Sequence, residues 1–263
     1  MTMRWAALGR AAVGLVYPRR CPFCDEVLGQ RTACPNCGPK QAALRRPVPR
    51  LAESDHLLAG LCGAAAVYEY DGVVQEAILR LKSGGRACYA PLLGAVMAEQ
   101  LFGCSYAEKG GIIRVRSAPP AALEYGCVVP VPSGSRLRGY NPPGLLAGEL
   151  ASALGLPLIA DALIKTRATP RQESLGREGR LLNLAGAFEV RPGRLAENSR
   201  VLLVDDVVTT GATLSSCAAA LLKAGAGEVF GACLAATPPK PAAAYENQTT
   251  PARPAGAGRI NER

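Results

Sequence analysis

Residues 200–214 read RVLLVDDVVTTGATL, and the order of residue types in this stretch decides the fold class. The run Val201–Val204 is apolar without alternation, as expected of a strand buried on both faces of a parallel sheet. It leads into the adjacent acids Asp205 and Asp206, which therefore stand at the C-terminal edge of that strand, where open α/β sheets bind their ligands. Thr209, Thr210, Gly211, Ala212 and Thr213 then open a helix. Unpaired first-turn N–H groups, three hydroxyls and a glycine that allows close backbone approach together suit a phosphate. The two carboxylates beside it suit sugar hydroxyls or Mg²⁺, an ion usually held by one or two carboxylates together with phosphate oxygens. The nucleoside-triphosphatase pattern GxxxxGK[ST] is not present. A plainer reading competes, in which Asp206 and Thr209 only cap the helix, but it leaves the second acid without a purpose.

Outward from this stretch, strands and helices alternate. Leu214, Cys217, Ala218, Leu221 and Leu222 mark one face of a helix that stops at Gly225, and Glu228–Ala235 reads as the next strand. Upstream, Gly63–Tyr70 reads as a strand, and Val74, Ala77, Ile78 and Leu81 follow at helical spacing. A helix is expected from Pro91 to about Phe102, a surface loop over 103–126, and a short strand over Cys127–Val131. A helix over 144–154 and a further strand around 158–165 complete the order. Such alternation implies a parallel sheet flanked by helices. The polar stretch 166–184 is expected as a mobile flap, and the Pro/Ala-rich 238–263 as a disordered tail.

The first 50 residues differ from the rest. They hold nine Lys/Arg against Asp25 and Glu26, a net +7 of the chain's +9. Within them CPFCDEVLGQRTACPNC carries Cys21, Cys24, Cys34 and Cys37 as two Cys-x-x-Cys pairs, and a Pro/Arg-rich stretch, 39–50, follows as a linker. Four thiolates make the closed tetrahedral set of a structural zinc site; a redox-active pair, the alternative, usually occurs singly. A closed site does no catalysis, so this basic module is expected to dock a partner protein or single-stranded nucleic acid. Few aromatics (Trp5, Tyr17, Phe23) weaken a base-stacking role. No apolar run reaches the length of a membrane span, and Arg10 interrupts the N-terminal stretch, which reads as a short amphipathic helix; a cytoplasmic location follows as an expectation. The expected units are 1–50, 51–237 and the tail 238–263.

VLLVDDVVTTGAT resembles the phosphoribosyl pyrophosphate loop of type I phosphoribosyltransferases. CPFC…CPNC, VVPVPSGSRLRGYNP at 128–142 and TPRQESLGREGRLLNLAGAF at 169–188 resemble the ComF (competence protein F/GntX-like) branch, over most of 13–236. The resemblance implies that Asp205 and Asp206 meet the ribose hydroxyls and that Val207, Val208 and Thr209–Thr213 complete the loop holding the 5′-phosphate, with Mg²⁺ accompanying the ligand. It makes Val131, Pro132 and Ser133 the start of a pyrophosphate loop. There Arg136 and Arg138 would neutralise the departing pyrophosphate, unless they are solvated loop charges. Lys82, in LKSGG, matches a lysine of the family, and Gln172, Arg180 and Asn183 match its flap.

Pro142 and Pro143 stand where the family usually has Gln after Arg-Gly-Tyr-Asn, removing two N–H donors. Transferases of 6-oxopurines carry an aspartate in the place of Thr209, which argues against that substrate class. The single histidine, His56, falls in a stretch read as linker and is expected to be incidental. Two functions remain open: phosphoribosyl transfer to a nitrogen acceptor, or a non-catalytic sugar-phosphate sensor serving competence or recombination proteins.

Overall fold

The apolar runs align side by side in a computed structural model that describes residues 20–28, 34–83, 85–109, 112–117, 124–133, 139–167 and 186–238. Strands β1 (Gly63–Glu69), β4 (Cys127–Pro130), β7 (Arg200–Val208) and β8 (Glu228–Ala236) form one sheet in the order β1-β8-β7-β4. Every pairing in it is parallel. β7 and β8 are central, and nearly every residue of each is buried, which is why their sequences show no polar alternation.

Alternation along β7 assigns its side chains to two cores. Leu202 and Val204 join one with helices α2 (Gly72–Ser83), α3 (Ala90–Phe102) and α4 (Pro142–Leu154). Val201 and Leu203 join the other with α5 (Ala212–Lys223). The helical spacing at Val74, Ala77, Ile78 and Leu81 is the buried stripe of α2. The expected layered α/β architecture is therefore present.

Three local expectations are corrected. The loop expected over 103–126 contains an antiparallel pair, β2 (Ser105–Lys109) and β3 (Ile112–Ser117). Ile112, Ile113 and Val115 are β-branched, and Gly110-Gly111 stands between the two runs in sequence. The strand expected around 158–165 shrinks to a bridge from Leu158 to Val128 and the short β5 (Leu163–Lys165), which pairs antiparallel with β6 (Phe188–Val190) outside the main sheet. The stretch expected as a linker is itself structured. It forms α1 (Gly38–Ala43) and then runs antiparallel to β1, bridging Arg45 to Tyr68 and Arg50 to Ala65. Pro47 and Pro49 suit this edge position, because the outer side of an edge strand needs no N–H donors.

The cysteine knuckle packs into the first core. Cys21, Phe23, Leu28, Cys34 and Cys37 are buried with Tyr68, Ile78 and Leu81, and the Phe23 ring meets that of Tyr68 edge-on at 5.9 Å. Of the amphipathic helix expected in 1–20 and the tail expected over 238–263, residues 1–19 and 239–263 lie outside the described residues.

Candidate functional site

The C-terminal ends of β7 and β4 lie together, because Pro130 pairs with Val204 and the Val131 N–H donates to the Val204 carbonyl at 2.9 Å. Beyond that point β7 offers Asp205 and Asp206, and β4 offers Val131, Pro132 and Ser133. Both carboxylates are buried, with Asp205 8% and Asp206 3% exposed. Asp205 accepts the Asp206 N–H at 2.8 Å. On the other face Asp206 Oδ1 pairs with Lys82 Nζ at 2.7 Å, from the last turn of α2.

These contacts set the charge state of the site. Burial opposes the Lys82 ammonium, but the neighbouring Asp206 outweighs it and holds the lysine above its ordinary pKa. Among the described residues, Asp205 has no such cation in contact. Burial, reinforced by Asp206 beside it, pushes its carboxyl up to about 8. The unfolded chain would lose that proton near pH 4 while the folded chain keeps it, so stability is full below pH 4 and falls as pH rises towards 8. In the absence of ligand and divalent cation, Asp205→Asn should remove this slope, worth on the order of a few kcal/mol. Melting temperatures of both proteins at pH 5 and pH 8.5 check it; parallel pH profiles would refute it.

The segment after β7 is held from behind. His56 is buried, and its Nδ1 lies 2.9 Å from the Thr209 carbonyl, so that nitrogen carries the hydrogen and donates it. The Leu57 N–H donates to the Thr210 carbonyl at 2.7 Å, and Ser215 Oγ on α5 donates to the Leu57 carbonyl at 2.7 Å. Thr237 Oγ1 also donates to Thr209 O, at 3.0 Å. Gly211 takes φ +84° immediately before α5 begins at Ala212. Thr209 is exposed and Thr210 and Thr213 are half-buried, so hydroxyls and first-turn amides meet at one helix end. His56, expected to be incidental, is thus part of the support of this loop.

A second support comes from Tyr140 and Asn141. Asn141 Nδ2 donates to the Val131 carbonyl at 2.9 Å, and the Tyr140 hydroxyl donates to the Leu81 carbonyl at 2.7 Å. Pro142 and Pro143 occupy the first turn of α4 after Asn141 as N-cap. The two lost N–H groups are among those a helix start leaves unpaired anyway, so the double proline costs α4 no internal hydrogen bond.

The structure therefore brings together Lys82, Asp205, Asp206, the loop Val207–Thr213 and Val131–Ser133. Arg136, Arg138, Gln172, Arg180 and Asn183 lie outside the described residues. Sequence patterns gave no sign of His56, Leu57 or Ser215.

The sulfurs of Cys21, Cys24, Cys34 and Cys37 all lie within 4.8 Å of one another, with Cys21–Cys37 at 3.2 Å and Cys24–Cys34 at 3.5 Å. A zinc tetrathiolate with Zn–S near 2.3 Å needs sulfurs about 3.8 Å apart, so the four residues fit that group. Burial pushes the Cys24 thiol up to about 11 and Cys37 upward too. A divalent cation would displace those protons.

Comparison with known proteins agrees with this geometry. Residues 144–251 match the phosphoribosyl transferase domain. The chain is 28% identical over 234 residues to the DNA utilization protein YhgH of Salmonella typhimurium, covering 88% of this chain and 96% of that protein. It is 35% identical over 96 residues to competence protein F of Haemophilus influenzae, covering 35% of this chain and 41% of that protein. Against the adenine phosphoribosyltransferase of Clavibacter michiganensis it is 38% identical over 93 residues, covering 35% of this chain and 49% of that protein. Sheet, acidic strand end and domain match together define a phosphoribosyltransferase domain. The chain is thus similar both to the DNA utilization protein YhgH and to competence protein F. Among the described residues, no helix is long and apolar enough to cross a membrane.

Proposed function

We propose that the protein binds phosphoribosyl pyrophosphate with Mg²⁺ and transfers the phosphoribosyl group to a nitrogen acceptor, displacing pyrophosphate. The observation that carries this reading is the buried Asp205–Asp206 pair directly ahead of a threonine–glycine helix start, with Lys82 on Asp206. Asp205 and Asp206 would accept the ribose 2′- and 3′-hydroxyls, while Thr209, Thr210 and Thr213 and the first amides of α5 take the 5′-phosphate. Lys82, already charged, lies where it can exchange Asp206 for a pyrophosphate oxygen, and Val131–Ser133 would line the pyrophosphate with Arg136 and Arg138 following. Asp205 and Asp206 are also the carboxylates beside which Mg²⁺ would be held, and it would supply neutralising charge to the pyrophosphate. Zinc would be held by the cysteine quartet and take no part in the chemistry.

A second reading is favoured by one observation. Position 209 holds threonine, and the buried His56 is engaged with the loop's own backbone, so neither presents a ready base for an acceptor. In that case the same pocket senses the sugar-phosphate, and the cysteine-bearing end serves DNA utilization or uptake as an adaptor to a protein partner or single-stranded DNA.

Calorimetry of phosphoribosyl pyrophosphate with Mg²⁺ should show binding by the wild type. Asp206→Asn, which replaces one acceptor oxygen by a donor and leaves Lys82 without an anionic partner, should weaken it about ten- to a hundredfold. No heat with the wild type would sink both readings. Pyrophosphate release with any member of a panel of bases and amines supports transfer, and binding without release across the panel supports the sensor.

A further inference from the structure

Three consecutive residues at the end of α2 each hold a different part of the molecule. Arg80 Nη1 donates to the Phe23 carbonyl at 2.7 Å and to the Pro22 carbonyl at 3.4 Å, both inside the Cys21–Cys24 knuckle, while its Nη2 pairs with Glu76 at 2.7 Å. The Leu81 carbonyl accepts the Tyr140 hydroxyl from the segment that leads back to Val131, and Lys82 pairs with Asp206. Successive helical residues point about 100° apart, so one turn can face three neighbours at once. The knuckle is gripped from the next segment as well. Arg86 Nη2 lies 3.3 Å from Asp25 Oδ2, and the Tyr89 hydroxyl donates to Asp25 Oδ1.

We propose that the turn Arg80-Leu81-Lys82 couples the cysteine site to the phosphate site, with Arg80 and Tyr140 as positioning residues for Lys82. This rests on the reading that the phosphate site takes phosphoribosyl pyrophosphate. The last four carbonyls of a helix lack partners within it, and the last turn frays unless something outside holds it. Here two holds come from outside: the guanidinium on the knuckle carbonyls and the tyrosine hydroxyl on Leu81 O. A lysine side chain loses rotamer freedom when it is fixed, so a pre-ordered helix end lowers the cost of using Lys82 on a ligand. Pro22 and Phe23 lie between two of the four metal ligands, so a metal that orders the knuckle also orders the carbonyls that Arg80 holds. Linkage makes the coupling reciprocal, and ligand at the phosphate loop then tightens metal binding.

The test uses the full zinc-loaded chain and phosphoribosyl pyrophosphate with Mg²⁺. Arg80→Met, which keeps the aliphatic stem, and Tyr140→Phe should each retain zinc and the wild-type circular dichroism yet bind the ligand about fivefold more weakly. In a Lys82→Gln background neither substitution should weaken binding further, because both act through that lysine; purely structural damage would instead add. In the reverse direction, the ligand should raise the zinc affinity measured by equilibrium competition with a chromogenic chelator in the wild type and not in Arg80→Met. Wild-type affinity in both variants, additive losses, or a zinc affinity indifferent to ligand in the wild type would each overturn the coupling while leaving the binding site intact. A wild type that binds no phosphoribosyl pyrophosphate overturns the underlying reading, and this proposal with it.

Discussion

Gly211→Ala should abolish most ligand affinity and visibly destabilise the fold. A Cβ on Gly211 would lie 2.2 Å from the Leu57 carbonyl oxygen and 2.9 Å from Leu57 C and N. Those are backbone atoms that cannot rotate away, and φ +84° is a region an L side chain rarely adopts. To make room, the loop must leave the 56–57 segment, breaking the hydrogen bonds from Leu57 N to Thr210 O and from Ser215 Oγ to Leu57 O. Backbone strain and two lost, partly buried hydrogen bonds together cost roughly 2–4 kcal/mol, a fall in melting temperature of about 5–15 °C for a chain of this size. Displacing the phosphate donors by about 1 Å should weaken phosphoribosyl pyrophosphate on the order of a hundredfold. Ser216→Ala is the control. It deletes a hydroxyl that among the described residues bonds Ala212 O on the same helix, so it should change neither property much. An alanine variant with wild-type melting and affinity would show that the close approach to Leu57 has no role in shaping the loop.

The same contact shows where sequence patterns stop. β7 and α5 are legible because burial on both faces of a strand, and on one face of a helix, leaves a periodic trace in residue type. Asp205, Asp206 and Thr209–Thr213 are legible because adjacent acids and clustered hydroxyls are unusual at a strand-to-helix turn. His56 and Leu57 leave no such trace. Their contacts go to backbone carbonyls, which every residue possesses, and the His56–Thr209 bond spans 153 positions. Residues 39–50 read as a linker because Pro and Arg are common in linkers. They are equally suited to an edge strand, and only the pairing of Arg46 N with Val67 O and of Ala66 N with Pro49 O separates the two cases. Lys82 was legible as a residue but not as the partner of Asp206, since α2 and β7 meet only through the tertiary packing of one core.

That shared core leads to the second large effect, which concerns the cysteine quartet. If the knuckle were a separate appendage, stripping a zinc held by its four cysteines would melt it alone and leave the main transition in place. Cys21, Cys34 and Cys37 are instead buried with Tyr68, Ile78 and Leu81, and Arg80 and Tyr89 donate into the knuckle from α2 and the turn before α3. Losing the fourth ligand leaves three thiols in an apolar site with no cation to neutralise them, which favours protonated sulfurs in van der Waals contact and a loosened knuckle. The face of α2 beneath it is then exposed to water. Cys37→Ala, or chelation of the wild type, should therefore lower a single cooperative transition by about 10 °C, corresponding to roughly 3–5 kcal/mol. Scanning calorimetry distinguishes the cases. One shifted peak supports a common core, whereas an unmoved main peak with a small separate low-temperature shoulder would show that the knuckle folds independently of the sheet.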